Sequence, residues 1–169
     1  MMVALGVVFM AIGAFVSTLD LTVAALTSLI VMLVFVEIGA PYVYLVWLAT
    51  SALGFTLFSG SAVWLEYLLV FGIYPILKAY VERAPRFLWL LLKLVYANLT
   101  FALLFWLMDV LLGMPFDMGE SIFGISGIPL LVAVWVIMNI AFAAYDMLLT
   151  VALRIYLFKY RERFKKFLK

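Results

Sequence analysis

Residues 62–86 read AVWLEYLLVFGIYPILKAYVERAPR, and this stretch decides what kind of chain carries it. Residues 62–80 form an apolar run of the length that crosses a bilayer, about 20 residues, interrupted only by Glu66 and Lys78. Pro75 lies inside the run, and proline removes a helical hydrogen bond, so a kink or an early end is expected there. A short loop follows, residues 81–86, punctuated by Pro85 and carrying Arg83 and Arg86. Lys78 is the first Lys or Arg of the chain: all 11 basic residues lie at position 78 or later.

Similar apolar runs recur on both sides, over residues 2–17, 21–36, 42–58, 87–112 and 129–153. With 70% hydrophobic residues, 12% charged residues and a mean hydropathy of +1.30, the chain lies far outside the soluble range. The short alternating segments of a transmembrane barrel are missing. The expectation is an all-α membrane protein with about six transmembrane helices in one polytopic domain over residues 1–169. The first run lacks a basic flank and a small-x-small cleavage site, so it reads as a retained span. Within it Gly13 and Ser17, and Ala14 and Thr18, repeat at four-residue spacing and offer a small face for helix packing. The Gly-rich stretch 122–129 reads as a re-entrant or capping piece, and no internal repeat is visible.

Cationic side chains set membrane orientation. The loop with Lys78, Arg83 and Arg86 and the C-terminal tail, residues 154–169, carry most of the basic charge. Both are expected in the cytoplasm, which for six spans places both termini there, in a multi-pass protein of the cell membrane. Glu37 falls in a cytoplasmic loop without a cation, a mild exception. In the tail Leu157, Tyr160, Phe164, Phe167 and Leu168 recur at helical spacing among Arg and Lys, the pattern of a basic amphipathic helix on an anionic leaflet.

Charges at membrane depth are costly and mark candidate sites. At the inner side Asp146 is a natural partner for Lys93 or Lys78, a structural pairing, and Arg154 reaches the headgroups. Toward the outer side Glu66, Asp109 and Asp20 have no cation at their depth. Tyr67 flanks Glu66, Trp106 is one turn from Asp109, and Asn98 and Asn139 fall near the midplane. Carboxylates with aromatic faces suit a cationic, partly apolar ligand; an interfacial aromatic belt is the competing reading. Substrate-binding candidates are therefore Glu66, Asp109, Trp106, Tyr67, Asn139, Asn98 and Asp20.

The chain contains no Cys and no His. Thiol and imidazole chemistry are excluded, and carboxylates alone are poor ligands for nickel, cobalt or zinc, so no metal or other cofactor is expected. Nucleophile–base pairs at matched depth and phosphate-binding loops are also missing, which argues against an enzyme and against ATP hydrolysis by this chain. The expected partners are the lipid bilayer and a small molecule, with no nucleic acid.

Six short spans, a small-residue first helix, the polar loop of residues 17–22 and a basic tail together resemble the substrate-binding S-components of energy-coupling-factor vitamin transporters. The segment Phe71-Gly72-Ile73-Tyr74-Pro75-Ile76-Leu77-Lys78, followed by Lys93 and Asn98, is similar to that of uncharacterised firmicute membrane proteins with an S-component-like look. The resemblance implies an outward-opening pocket, a transmembrane coupling subunit that meets the first helix, and two cytoplasmic ATPases. In that family the first helix carries Ala-x-x-x-Ala spacing; here Gly13-x-x-x-Ser17 and Ala14-x-x-x-Thr18 lie nearer the outer end. The function so implied is uptake of a small cationic or amine-bearing molecule, such as a vitamin or its precursor. The alternative is a non-transporting scaffold subunit of a cell-envelope complex. A scaffold would fill its outer end with its own side chains; a binding subunit would show a hollow near Glu66 and Asp109, lined by Trp106 and Asn139.

Overall fold

Apolar runs without strand-like alternation build helices, and the described residues contain helices and the turns between them. The structure, a computed structural model, describes residues 1–114 and 126–161. Asp117, Glu120, the first half of the Gly-rich stretch (residues 122–125) and the tail beyond Arg161 lie outside the described residues. Helix α1 (Met2–Phe15) is followed by a 3-10 turn, Ser17–Leu19, and then by α2 (Asp20–Glu37) and α3 (Ala40–Leu57). Next come α4 (Val63–Glu66), a π-helical turn (Tyr67–Phe71) and α5 (Tyr74–Val81). Two long helices finish the chain: α6 (Arg86–Leu112) and α7 (Ile128–Ile155), the latter extended by a second π-helical turn, Tyr156–Tyr160.

Five of these units are long and apolar enough to cross a membrane: α2, α3, the segment Val63–Val81 taken whole, α6, and α7 with its extension. Helix α1 is a shorter apolar helix of 14 residues. The all-helical membrane architecture expected from the sequence is thus present, with boundaries shifted by a few residues. The fourth span departs most from a simple helix. The proline at 75 predicts a kink; the structure breaks the segment earlier, from Tyr67 onward, and starts a new helix with Pro75 in its first turn. Proline fits that first turn because the N–H it lacks has no helical partner there.

The segment Val63–Val81 and α2 form the centre. In the most apolar 18-residue window of Val63–Val81, 67% of residues are buried, against 22% in α6 and 17% in α7. Helices α1 and α3 pack on α2 and α4, while α6 packs on the π-turn and α5, and α7 on α2. The buried stripe of α1 is Gly6, Met10 and Gly13. A methyl group added at Gly13 would come within 2.9 Å of Val63 Cγ2 and 3.3 Å of the Asp20 Cα. That member of the expected small face packs inside the protein, while Thr18 is exposed. The outward faces of α6 and α7 are apolar, with Leu90, Leu99, Ile137 and Met147 all exposed, as a lipid-facing surface requires.

Candidate functional site

The break in the central segment creates a problem that three other helices solve. Carbonyls that lose regular helical donors inside a bilayer cost several kcal/mol each unless something else meets them. The Leu68 carbonyl accepts from the indole N–H of Trp47 on α3 at 3.2 Å. The Tyr96 hydroxyl on α6 is shared between the carbonyls of Leu69 and Val70, at 2.7 and 2.9 Å. Pro75 has no N–H to offer the Phe71 carbonyl four residues back, and the Tyr145 hydroxyl on α7 lies 3.3 Å from that oxygen. Tyr145 is itself bonded to Ser28 on α2 at 2.6 Å. Gly72 allows the approach of Trp47: a Cβ there would lie 2.7 Å from the indole Cδ1 and 2.6 Å from the Tyr67 carbonyl oxygen. The sequence pattern marks Trp47 only as an aromatic approaching Glu66 and Asp109 from a third helix, and does not single out Tyr96 or Tyr145. The signal was available, since a proline and a glycine in a spanning run demand side-chain donors at the same depth.

On one side of the break lies a closed charge network. The structure brings Lys78, Lys93 and Asp146 together. The Lys78 ammonium, in a residue only 6% exposed, contacts the Asp146 carboxylate and donates to the Asp146 carbonyl at 3.0 Å. Lys93 reaches the same carboxylate at 2.8 Å. Glu82 accepts from Lys93 at 2.9 Å and pairs with Lys78 at 3.2 Å, and the Tyr74 hydroxyl donates to Asp146 at 2.7 Å. Two ammonium groups and two carboxylates cancel, which is what makes their burial tolerable. The same end holds Glu37, paired with Arg161 at 3.1 Å, so the acidic exception in the charge pattern has a cation supplied from α7's extension.

Asn98 and Asn139, two candidate binding residues, form a reciprocal amide pair between α6 and α7, at 3.1 and 3.3 Å. The remaining amide hydrogens go to the carbonyls of Leu94 and Trp135, and the Trp135 indole donates to Asn98 Oδ1 at 2.6 Å. Both amides therefore use all their donors within the protein. This arrangement clamps two helices.

The other candidates lie toward the opposite end of the central segment. Glu66, the last residue of α4, is 4% exposed, and its Oε2 has no hydrogen-bond partner among the described residues. Asp20, at the start of α2, is close enough for its charge to act on Glu66, and its Oδ1 accepts the Leu21 N–H at 2.7 Å. Tyr67 is fully enclosed beside Glu66 in sequence. Asp109 is exposed on α6, and Trp106 is 59% exposed. The structure therefore gives Glu66 and Asp109 opposite surroundings, one sealed and one open. A hollow of about 360 Å³ at this end is lined by Phe55, Ser59, Gly60, Trp64, Leu111 and Leu112, a different set from the Glu66, Asp109, Trp106 and Asn139 wall that a binding pocket was expected to have. Among the described residues no group of three or more acidic side chains is placed to hold a metal ion.

Compared with known protein families, curated proteins and solved structures, the chain matches none of them.

Proposed function

We propose that this chain is a membrane-embedded binding subunit for uptake of a small cationic or amine-bearing molecule, with Glu66 as the counter-charge and Asp20 beside it. One observation carries the reading. Glu66 is buried with a carboxyl oxygen that no donor meets, while Asp20 adds charge of the same sign. A buried carboxyl without a partner costs folding free energy and defaults to a functional role in a membrane protein. A cation with hydrogens to donate would supply both the charge and the missing bond. Because Oε2 is sealed, access requires the helices around α4 to separate. The likeness of the sequence to S-components adds a coupling subunit and its ATPases as proposed partners.

The test is purification in mild detergent followed by mass spectrometry of retained small molecules. An amine-bearing ligand should be released on denaturation. It should be lost in Glu66→Gln and weakened in Asp20→Asn. Retention of the same ligand by both variants would remove this site. The scaffold reading is favoured by a separate observation: the glycine-lined contacts of α1 and α3, with Gly6 against Thr50 and Gly54 against Met10, fill the interior next to α4. It predicts no retained ligand in any variant.

A further inference from the structure

Glu66 lies one helical turn beyond a constriction. Val63 and Glu66 are three residues apart and share a face of α4. Val63 is fully buried and meets α1 and α2 at close range. A methyl group added to Gly13 would lie 2.9 Å from Val63 Cγ2, 3.3 Å from the Asp20 Cα and 3.4 Å from Val23 Cβ. Where Val63 closes it, the seam between α1, α2 and α4 therefore has no space for one more carbon. The charge along this seam has one sign. Helix α1 carries no titratable side chain, α2 brings Asp20 in its first turn and Glu37 only at its far end, and no Lys or Arg precedes position 78. The Met1 amine is at the other end of α1, about 18 Å from Gly13 at 1.5 Å per residue.

The larger hollows at this end open on a different face. Spaces of about 360 and 380 Å³ both meet α4 at Trp64. Trp64 precedes Glu66 by two residues, about 200° around a helix, and packs toward α3, its Cβ 3.2 Å from a methyl group added at Gly54. An organic body lodged in either space does not present its charge to Glu66.

We propose that the Glu66 site takes a compact cation, of the size of ammonium or methylammonium, and selects it by its N–H donors. This rests on the reading of Glu66 as the counter-charge. A vitamin-sized amine would have to part α1, α2 and α4 along the seam, whereas a small ammonium group needs only a slight separation at Val63. One N–H then meets the free Oε2, and the positive charge is shared with Asp20. A quaternary ammonium or an alkali cation brings the charge without a hydrogen to donate.

The experiment is equilibrium dialysis of the purified full chain in detergent against radiolabelled methylammonium at fixed ionic strength. Ammonium should compete, and hexylammonium, tetramethylammonium and potassium should each compete about tenfold less well or worse. Glu66→Gln should abolish binding, and Asp20→Asn should weaken it about fivefold. Val63→Ala, which widens the constriction and leaves both carboxyls in place, should let propylammonium compete as well as methylammonium does. Equal competition by hexylammonium, tetramethylammonium or potassium overturns the proposal and leaves Glu66 as the counter-charge. A larger amine that the parent retains and Glu66→Gln loses, with no methylammonium bound, does the same. Methylammonium binding that survives Glu66→Gln, or no Glu66-dependent binding of any amine, overturns both.

Discussion

A buried carboxyl group, Glu66, and a half-buried one, Asp146, flank the broken central segment, and they are treated in opposite ways. Asp146 receives two ammonium groups and a phenol, and even its main-chain carbonyl is bonded by Lys78. Glu66 keeps one oxygen without a donor and has Asp20 for its charged neighbour. The fold can satisfy a carboxylate among its helices, since it does so once with three side-chain donors. The exception at Glu66 is therefore not a general shortage of polar partners but a local one, in a chain whose every Lys and Arg follows position 77. The Asp146 side is explained by structure. The Glu66 side has a cost that packing does not repay.

The comparison breaks most visibly at Asp146. Replacing Asp146 with Ala leaves Lys78 and Lys93 with Glu82 alone, and their side chains are only 8% and 13% exposed. Removing one member of a buried ion network costs about 3–5 kcal/mol. Thermal unfolding in detergent should show this as the largest loss among single substitutions at polar positions. A variant that melts with the parent would mean that the network contributes no stability, and the contrast with Glu66 would disappear.

The junction between the two carboxyls comes next in size. Gly72→Ala drives a methyl group into the Tyr67 carbonyl and the Trp47 ring. Crowding of this kind costs about 1–3 kcal/mol. Tyr96→Phe keeps the ring but strips the donor from two buried carbonyls, at about 1–3 kcal/mol. If both variants unfold like the parent, the side-chain bonds to Leu68–Phe71 are incidental, and the two halves of the segment are held by ring packing. Hydrogen exchange at residues 68–71 separates the cases, because only Tyr96→Phe should expose those amides locally without opening α6.

How far the sequence exposes this arrangement depends on the range of each interaction. The spans follow from the length of apolar runs, and Asp146 finds Lys78 and Lys93 because opposite charges at matched depth have few alternatives. Asn98 and Asn139 are also at matched depth, but a sequence does not say whether two amides face a ligand or each other. Phase around the helix decides that, and it depends on how α6 and α7 are rotated. Asp109 and Glu66 illustrate the same limit. Depth alone groups them, whereas the structure turns Asp109 outward and seals Glu66. The break at Tyr67 starts well before Pro75 because a π-turn, a glycine and a proline share the disruption, and only the proline is conspicuous in the chain.

The smallest expected effect on stability is the sharpest test of the contrast. Glu66→Gln preserves shape and removes the charge. If Glu66 were a structural residue like Asp146, losing its charge would unpair a partner and lower stability. No such partner exists among the described residues. The amide is cheaper to bury than an ionised carboxyl, so stability should stay within about 1 kcal/mol of the parent or rise. A thermal shift comparable to that of Asp146→Ala would show that Glu66 is held by the fold after all. Unchanged stability together with loss of a retained amine would tie its burial to the ligand, because a residue that the fold does not need and binding does need has its cost repaid only when the site is filled.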